Sequence, residues 1–175
     1  LLQQTGSKMA NSDVIADLLI NAGEPDKDSS TALMVYKGSS LGTSSDAFLG
    51  LLDDLTSKAT QSNKKEEQDA HRRCIKHVLN SLIQCMFRFE WLALPTNPPN
   101  FEDGTYLNGL GFSRRRMQRI VDALCDEDIM RLGRKGYRDV RPNETSKASQ
   151  YYPTSKFIKL FSSSLYSTYG DFSDY

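Results

Sequence analysis

The chain has 175 residues, 38% of them hydrophobic, with 22 Lys and Arg balanced by 22 Asp and Glu. That content supplies a globular core of one ordinary domain, or of a small domain with a helical extension. No apolar run of about 18 residues and no basic, apolar and small-residue succession of a signal peptide occurs in the sequence, so an intracellular, cytoplasmic location is expected.

Taken in order, Leu1 to Ala10 reads as a cloning remnant ahead of a start at Met9. Ser12 is placed to cap a short helix with Val14, Ile15, Leu18 and Leu19 as its apolar stripe and Gly23 as its stop. Thr31 to Tyr36 is a short apolar run that fits strand or helix equally. After a Ser- and Gly-rich stretch, a helix is expected from near Ser45, with Phe48, Leu49, Leu51, Leu52 and Leu55 on its apolar side. From about Glu66 to Trp91 the helical periodicity is the strongest in the chain, carried by Ile75, Val78, Leu79, Leu82, Ile83, Met86 and Phe89. Cys74, Cys85 and Phe87 widen that face beyond the stripe of about 100° that one packing surface requires. Such a helix is expected to contact the C-terminal part of the chain on one side and, on the other, either the N-terminal helices or a second copy in a homodimer. Pro95, Pro98 and Pro99 are expected to end this helix.

The segment from Gly104 to Pro153 has the densest positive charge. Tyr106, Leu107 and Leu110 suit a short helix ending at Gly111, and Ser113 starts a second helix whose apolar face is Met117, Ile120, Val121 and Leu124. At about 100° per residue, Arg115, Gln118, Arg119 and Asp122 fall on the opposite face, with Arg114 and Arg116 on its flanks. Ile129 to Val140, the turn-rich stretch Pro142 to Ser149, and Gln150 to Tyr152 then read as strand, loop and strand. Thr154 caps a last helix with Phe157, Ile158, Phe161 and Leu165 inward. Between Ser113 and Lys159 there are 12 Lys and Arg against 6 Asp and Glu, a net +6, whereas Leu1 to Ala70 has 6 against 11, a net −5. The zero net charge therefore conceals a basic half that is able to bind phosphate.

The order helix, turn, helix, hairpin in these residues resembles the winged helix-turn-helix DNA-binding superfamily. The resemblance implies a mainly α fold with a small β-hairpin, divided into an N-terminal helical extension over 11–65, a winged helix-turn-helix over 66–170, and a tail over 171–175. It also implies a recognition helix over Ser113 to Cys125 and a wing over Ile129 to Tyr152. Double-stranded DNA is the partner so implied. Arg115 and Arg119 are then placed to grip guanine O6 and N7, and Gln118 to pair with adenine. Ser113, Arg114 and Arg116 suit backbone phosphates near the helix start. In the wing the basic residues are Arg131, Arg134, Lys135, Arg138, Arg141 and Lys147, while Tyr137, Tyr151 and Tyr152 read as packing residues. Asp122 is expected to orient an arginine. The expected role is origin recognition by the replication initiator of a plasmid, phage or other mobile element. A transcriptional regulator and a protein-interaction winged helix without DNA binding are the alternatives.

Other chemistries have weaker signals. Three widely spaced cysteines, Cys74, Cys85 and Cys125, form neither a disulfide framework nor a zinc ribbon. His71, Cys74 and His77 recur at every third residue, but such steps rotate about 60° around a helix and wrap ligands over its surface, so no metal site is expected. No phosphate-cradling loop, no clustered carboxylates and no activated nucleophile occur; Tyr151 or Tyr152 beside arginines lacks a base. No enzyme activity, cofactor or small-molecule ligand is expected.

Overall fold

A computed structural model describes residues 14, 16–25, 32–34, 46–94, 114–136 and 148–161. Its elements are helix α1 over 16–22, strand β1 (Ala32–Met34), helices α2 (Asp46–Ala59) and α3 (Lys65–Arg88), strand β2 (Trp91–Leu94), helix α4 (Arg114–Asp126), strands β3 (Met130–Arg134) and β4 (Ser149–Pro153), and helix α5 over 155–161. The protein is mainly helical with a small, largely antiparallel sheet.

The sheet order is β1-β2-β4-β3. β3 and β4 form the expected antiparallel hairpin, with Arg131 opposite Tyr152 and a register shift between Leu132 and Arg134. β4 is also antiparallel to β2, with Leu92 opposite Tyr151. β1 runs parallel to β2, so the undecided run beginning at Thr31 is a strand where it is described.

The long helix stops earlier than its apolar pattern predicts. Phe89 takes the left-handed conformation at φ 52°, and the Glu90 N–H reaches back 3.3 Å to the carbonyl oxygen of Cys85, closing the last turn as a glycine would. Trp91 is therefore a strand residue, and the continuation of apolar residues into Trp-Leu-Ala-Leu is a strand buried on both faces. The stop comes from Phe89, ahead of the prolines.

α3 is the centre of the core. Cys74, Ile75, Val78, Leu79, Leu82, Ile83, Cys85 and Met86 are all fully buried, covered by α2, α4 and the sheet. Most of the wide face is thus packed inside the chain, while Phe89 at its end is nearly half exposed. α2 contributes Phe48, Leu52 and Leu55 to the same continuous core, which spans residues on both sides of position 65. Thr56, buried on that face, satisfies its hydroxyl by donating to the carbonyl oxygen of Leu52 at 2.6 Å. Phe48 meets Phe161 edge-on at 5.7 Å between ring centroids, and Phe161 lies 4.8 Å from Phe157, so α2 and α5 close on each other.

The stripe expected on α1 is rotated. Ala16 and Leu19 are buried, whereas Val14 and Leu18 are more than half exposed. Small Ala16 lets the helix approach the core on that side. Gly23, at φ +75°, ends α1, with its N–H 3.2 Å from the carbonyl oxygen of Ile20.

Candidate nucleic-acid interface

α4 is set by its apolar face. Met117, Ile120, Val121 and Leu124 are buried as the periodicity requires. The helix ends in a turn with Asp128 left-handed at φ 56° and the Ile129 N–H 2.9 Å from the carbonyl oxygen of Leu124. Thr154 ties that turn to α5: its hydroxyl lies 2.5 Å from the carbonyl oxygen of Asp128, and its Oγ1 accepts the Phe157 N–H at 3.3 Å. The C-terminal end of α4, the base of the hairpin and the start of α5 are one hydrogen-bonded junction.

On the outer face Arg115 and Gln118 are exposed and Arg119 is half-buried. Asp122 is also exposed, but it holds Gln118 rather than an arginine: Gln118 Nε2 donates to Asp122 Oδ1 at 2.8 Å. Arg114 is helical, and its side chain, like Ser113, lies outside the described residues. Arg116, placed by the helical wheel on a phosphate-facing flank, turns inward. It is only 16% exposed, and its Nη2 lies 3.2 Å from Glu67 Oε2 on α3. That ion pair joins the two helices.

Between them opens a cleft of about 510 Å3, lined by Glu67 and His71 near the start of α3, Gln61, Ser62 and Lys64 just before it, and Arg115, Arg116 and Arg119 of α4. Among the described residues, four cations thus border it against one carboxylate. Lys64 and Glu67 had no part in the expected site, because only the packing of α3 on α4 brings them there.

In the hairpin, Arg131 is more than half exposed and its Nε sits 2.7 Å from Glu24 Oε1, just after α1. Lys135 is exposed and Arg134 half-buried. The Gly136 N–H donates to Ser149 Oγ at 2.9 Å, which holds the strands together at the open end. Arg138, Arg141, Lys147 and Tyr137, and the first helix expected around Tyr106 to Leu110, lie outside the described residues.

Tyr151 and Tyr152 are packing residues. Both are buried, and burial, the largest cause, pushes both phenols above their usual range. Tyr152 stacks edge-on to Trp91 at 6.1 Å. Burial likewise pushes the Cys74 thiol up to about 12, against the lowering influence of Arg116 and Arg73, and pushes Cys85 upward. His71 is buried, with Nδ1 2.8 Å from the carbonyl oxygen of Glu67. Among the described residues no group of three or more His, Cys, Asp and Glu side chains is arranged to hold a metal, and no helix is long and apolar enough to cross a membrane.

No family model, curated protein or solved structure matches this chain.

Proposed function

We infer that the protein binds double-stranded DNA as a winged helix-turn-helix, with α4 in the major groove and the β3–β4 hairpin as its wing. The observation that carries this reading is the outer face of α4, where Arg115, Gln118 and Arg119 stand on one side of a helix whose opposite side is fully packed. Such a helix is held rigidly by its buried face while its guanidinium and amide groups remain available to base edges. The order α3, β2, α4, β3, β4, with β2 and β3 flanking β4, suits the same arrangement. The Asp122 carboxylate fixes the orientation of Gln118, leaving the amide oxygen and one amide hydrogen to pair with adenine.

Within this activity the preferred role is origin recognition by a replication initiator of a mobile element, a preference that rests on the 24-residue α3 leading into the reader. A transcriptional regulator would use the same chemistry at a promoter.

The test is a titration against random duplex and against intergenic DNA of the source element at several salt concentrations. Binding that weakens steeply with salt and prefers one intergenic region is expected, with repeated sites for an initiator and promoter overlap for a regulator. Absence of binding to any duplex at low salt overturns the DNA reading and leaves a protein-interaction module.

A further inference from the structure

The ion pair between Glu24 and Arg131 ties the acidic part of the chain to the hairpin. Arg131 Nε donates to Glu24 Oε1 at 2.7 Å, and among the described residues Glu24 is the only carboxylate paired with Arg131. Arg131 stands on β3, at one edge of the sheet and opposite Tyr152, so the two side chains share a face. Tyr152 and the Trp91 ring beside it are buried, whereas Arg131 is 55% exposed. The guanidinium therefore sits at the rim of the sheet, within reach of a ligand from solvent.

Glu24 directly follows α1, which is the most lightly held helix of the amino-terminal half. Over residues 16–22 it makes only about two turns, too short to persist by itself. Its buried side chains are Ala16 and Leu19, with Ile20 partly buried, while Val14 and Leu18 are exposed. A short helix with so little buried apolar surface opens more readily than α2 or α3. The charge of the chain divides in the same sense, net −5 over Leu1 to Ala70 and net +6 over Ser113 to Lys159. A carboxylate and a phosphate each offer a guanidinium a pair of accepting oxygens, so the two compete for Arg131.

We propose that Glu24 is an intramolecular stand-in for a DNA phosphate: an autoinhibitory contact that occupies Arg131 of the wing in the free protein, gives way when duplex binds, and in giving way loosens α1. The inference rests on the DNA reading above and uses none of the α4 side chains that face base edges. The coupling is reciprocal, so whatever loosens α1 tightens duplex binding, and duplex binding loosens α1.

The test has two arms on the intact chain. In the first, affinity for random duplex is measured over a range of salt concentrations. Glu24→Gln should bind about two- to fivefold more tightly than the wild type, the gain set by one exposed ion pair. Asp17→Asn, the same change of charge at an exposed position of α1, should bind like the wild type. Arg131→Gln should bind more weakly with a log–log salt slope shallower by about 0.9, and adding Glu24→Gln to it should bring no gain. Equal binding by the wild type and Glu24→Gln, an equal gain in Asp17→Asn, or a gain that survives in Arg131→Gln overturns the proposal and leaves the DNA reading standing. If neither the wild type nor Glu24→Gln binds any duplex at low salt, the DNA reading falls and the proposal falls with it. In the second arm, hydrogen exchange of the Ile20 and Ala22 amides is followed by NMR. It should quicken several-fold in free Glu24→Gln, and in the wild type when duplex is added. Unchanged exchange in either case overturns the proposal.

Discussion

Gly133 lies directly against the indole of Trp91, so closely that a Cβ at this position would fall inside the ring. Trp91 is on β2 and Gly133 is on β3, at the register shift, with β4 between them. The indole thus reaches across Tyr152 to the far strand and holds the hairpin at a set angle to the sheet. Gly133→Ala should destabilise the protein by about 1–3 kcal/mol or force the indole out of place. Trp91 is the only tryptophan and is fully buried, so its fluorescence reports the outcome directly. A red-shifted emission and a lowered urea midpoint are expected, and the penalty should shrink in a Trp91→Leu background. Unchanged emission and stability would refute the contact.

Arg115→Ala and Arg119→Ala should each reduce discrimination between the preferred site and random duplex by about 1–3 kcal/mol, the worth of a bidentate arginine–guanine pair. Competition binding measures this. A double variant that binds both duplexes like the wild type would remove α4 from base recognition.

Glu67→Gln removes the carboxylate that holds Arg116 inward. Random-duplex affinity should rise several-fold, because losing one carboxylate makes the cleft between α3 and α4 more positive. Stability should fall by about 1 kcal/mol, discounted for the half-exposed carboxylate. Weaker binding in this variant would mean that Glu67 contributes to the site rather than restraining it.

Buried acids make the fold sensitive to alkali. Cys74, with its thiol pushed up to about 12, keeps its proton in the folded chain at pH values where the unfolded thiol, near 9.0, has lost it. The folded state then binds more protons than the unfolded state, so stability is fully present below about pH 9 and declines above it, by at most about 1.4 kcal/mol per pH unit for each such group. Cys85, Tyr151 and Tyr152 are shifted the same way by burial. Urea midpoints should fall from about pH 9 upward, less steeply in Cys74→Ala. At neutral pH, thiol reagents should reach the half-buried Cys125 well before Cys74 or Cys85.

The outer face of α4 was legible because one helix carries both of its faces in its own spacing. Once Met117, Ile120, Val121 and Leu124 define the inside, Arg115 and Gln118 have to be outside. The inward turn of Arg116 is not legible for the complementary reason: on the flank of the helix its direction depends on partners such as Glu67, 49 residues away. β2 was hidden because a strand buried on both faces has no alternation, and it follows an apolar helix whose stop is a phenylalanine in a glycine conformation. The side of α1 that packs was also not legible, since Ala16 carries too little hydrophobicity to outweigh Val14 and Leu18 in any periodic pattern. The cleft depends on all of these placements together. Lys64 and His71 signal nothing by themselves until α3 lies against α4.

The edge-on contact between Phe48 and Phe161 also bears on how the chain is made. Phe48 leaves the ribosome well before the ring that covers it, which follows α3 by many residues. At about 5–20 residues per second, roughly 4–15 s separate the synthesis of the last turn of α3 from that of residue 161. At the start of that interval the apolar side of a 24-residue helix lacks the cover of α4 and β4, which are made only as it proceeds. The nascent chain is therefore most prone to stick to other chains in that interval, when chaperone capture or slower synthesis would have its largest effect on yield.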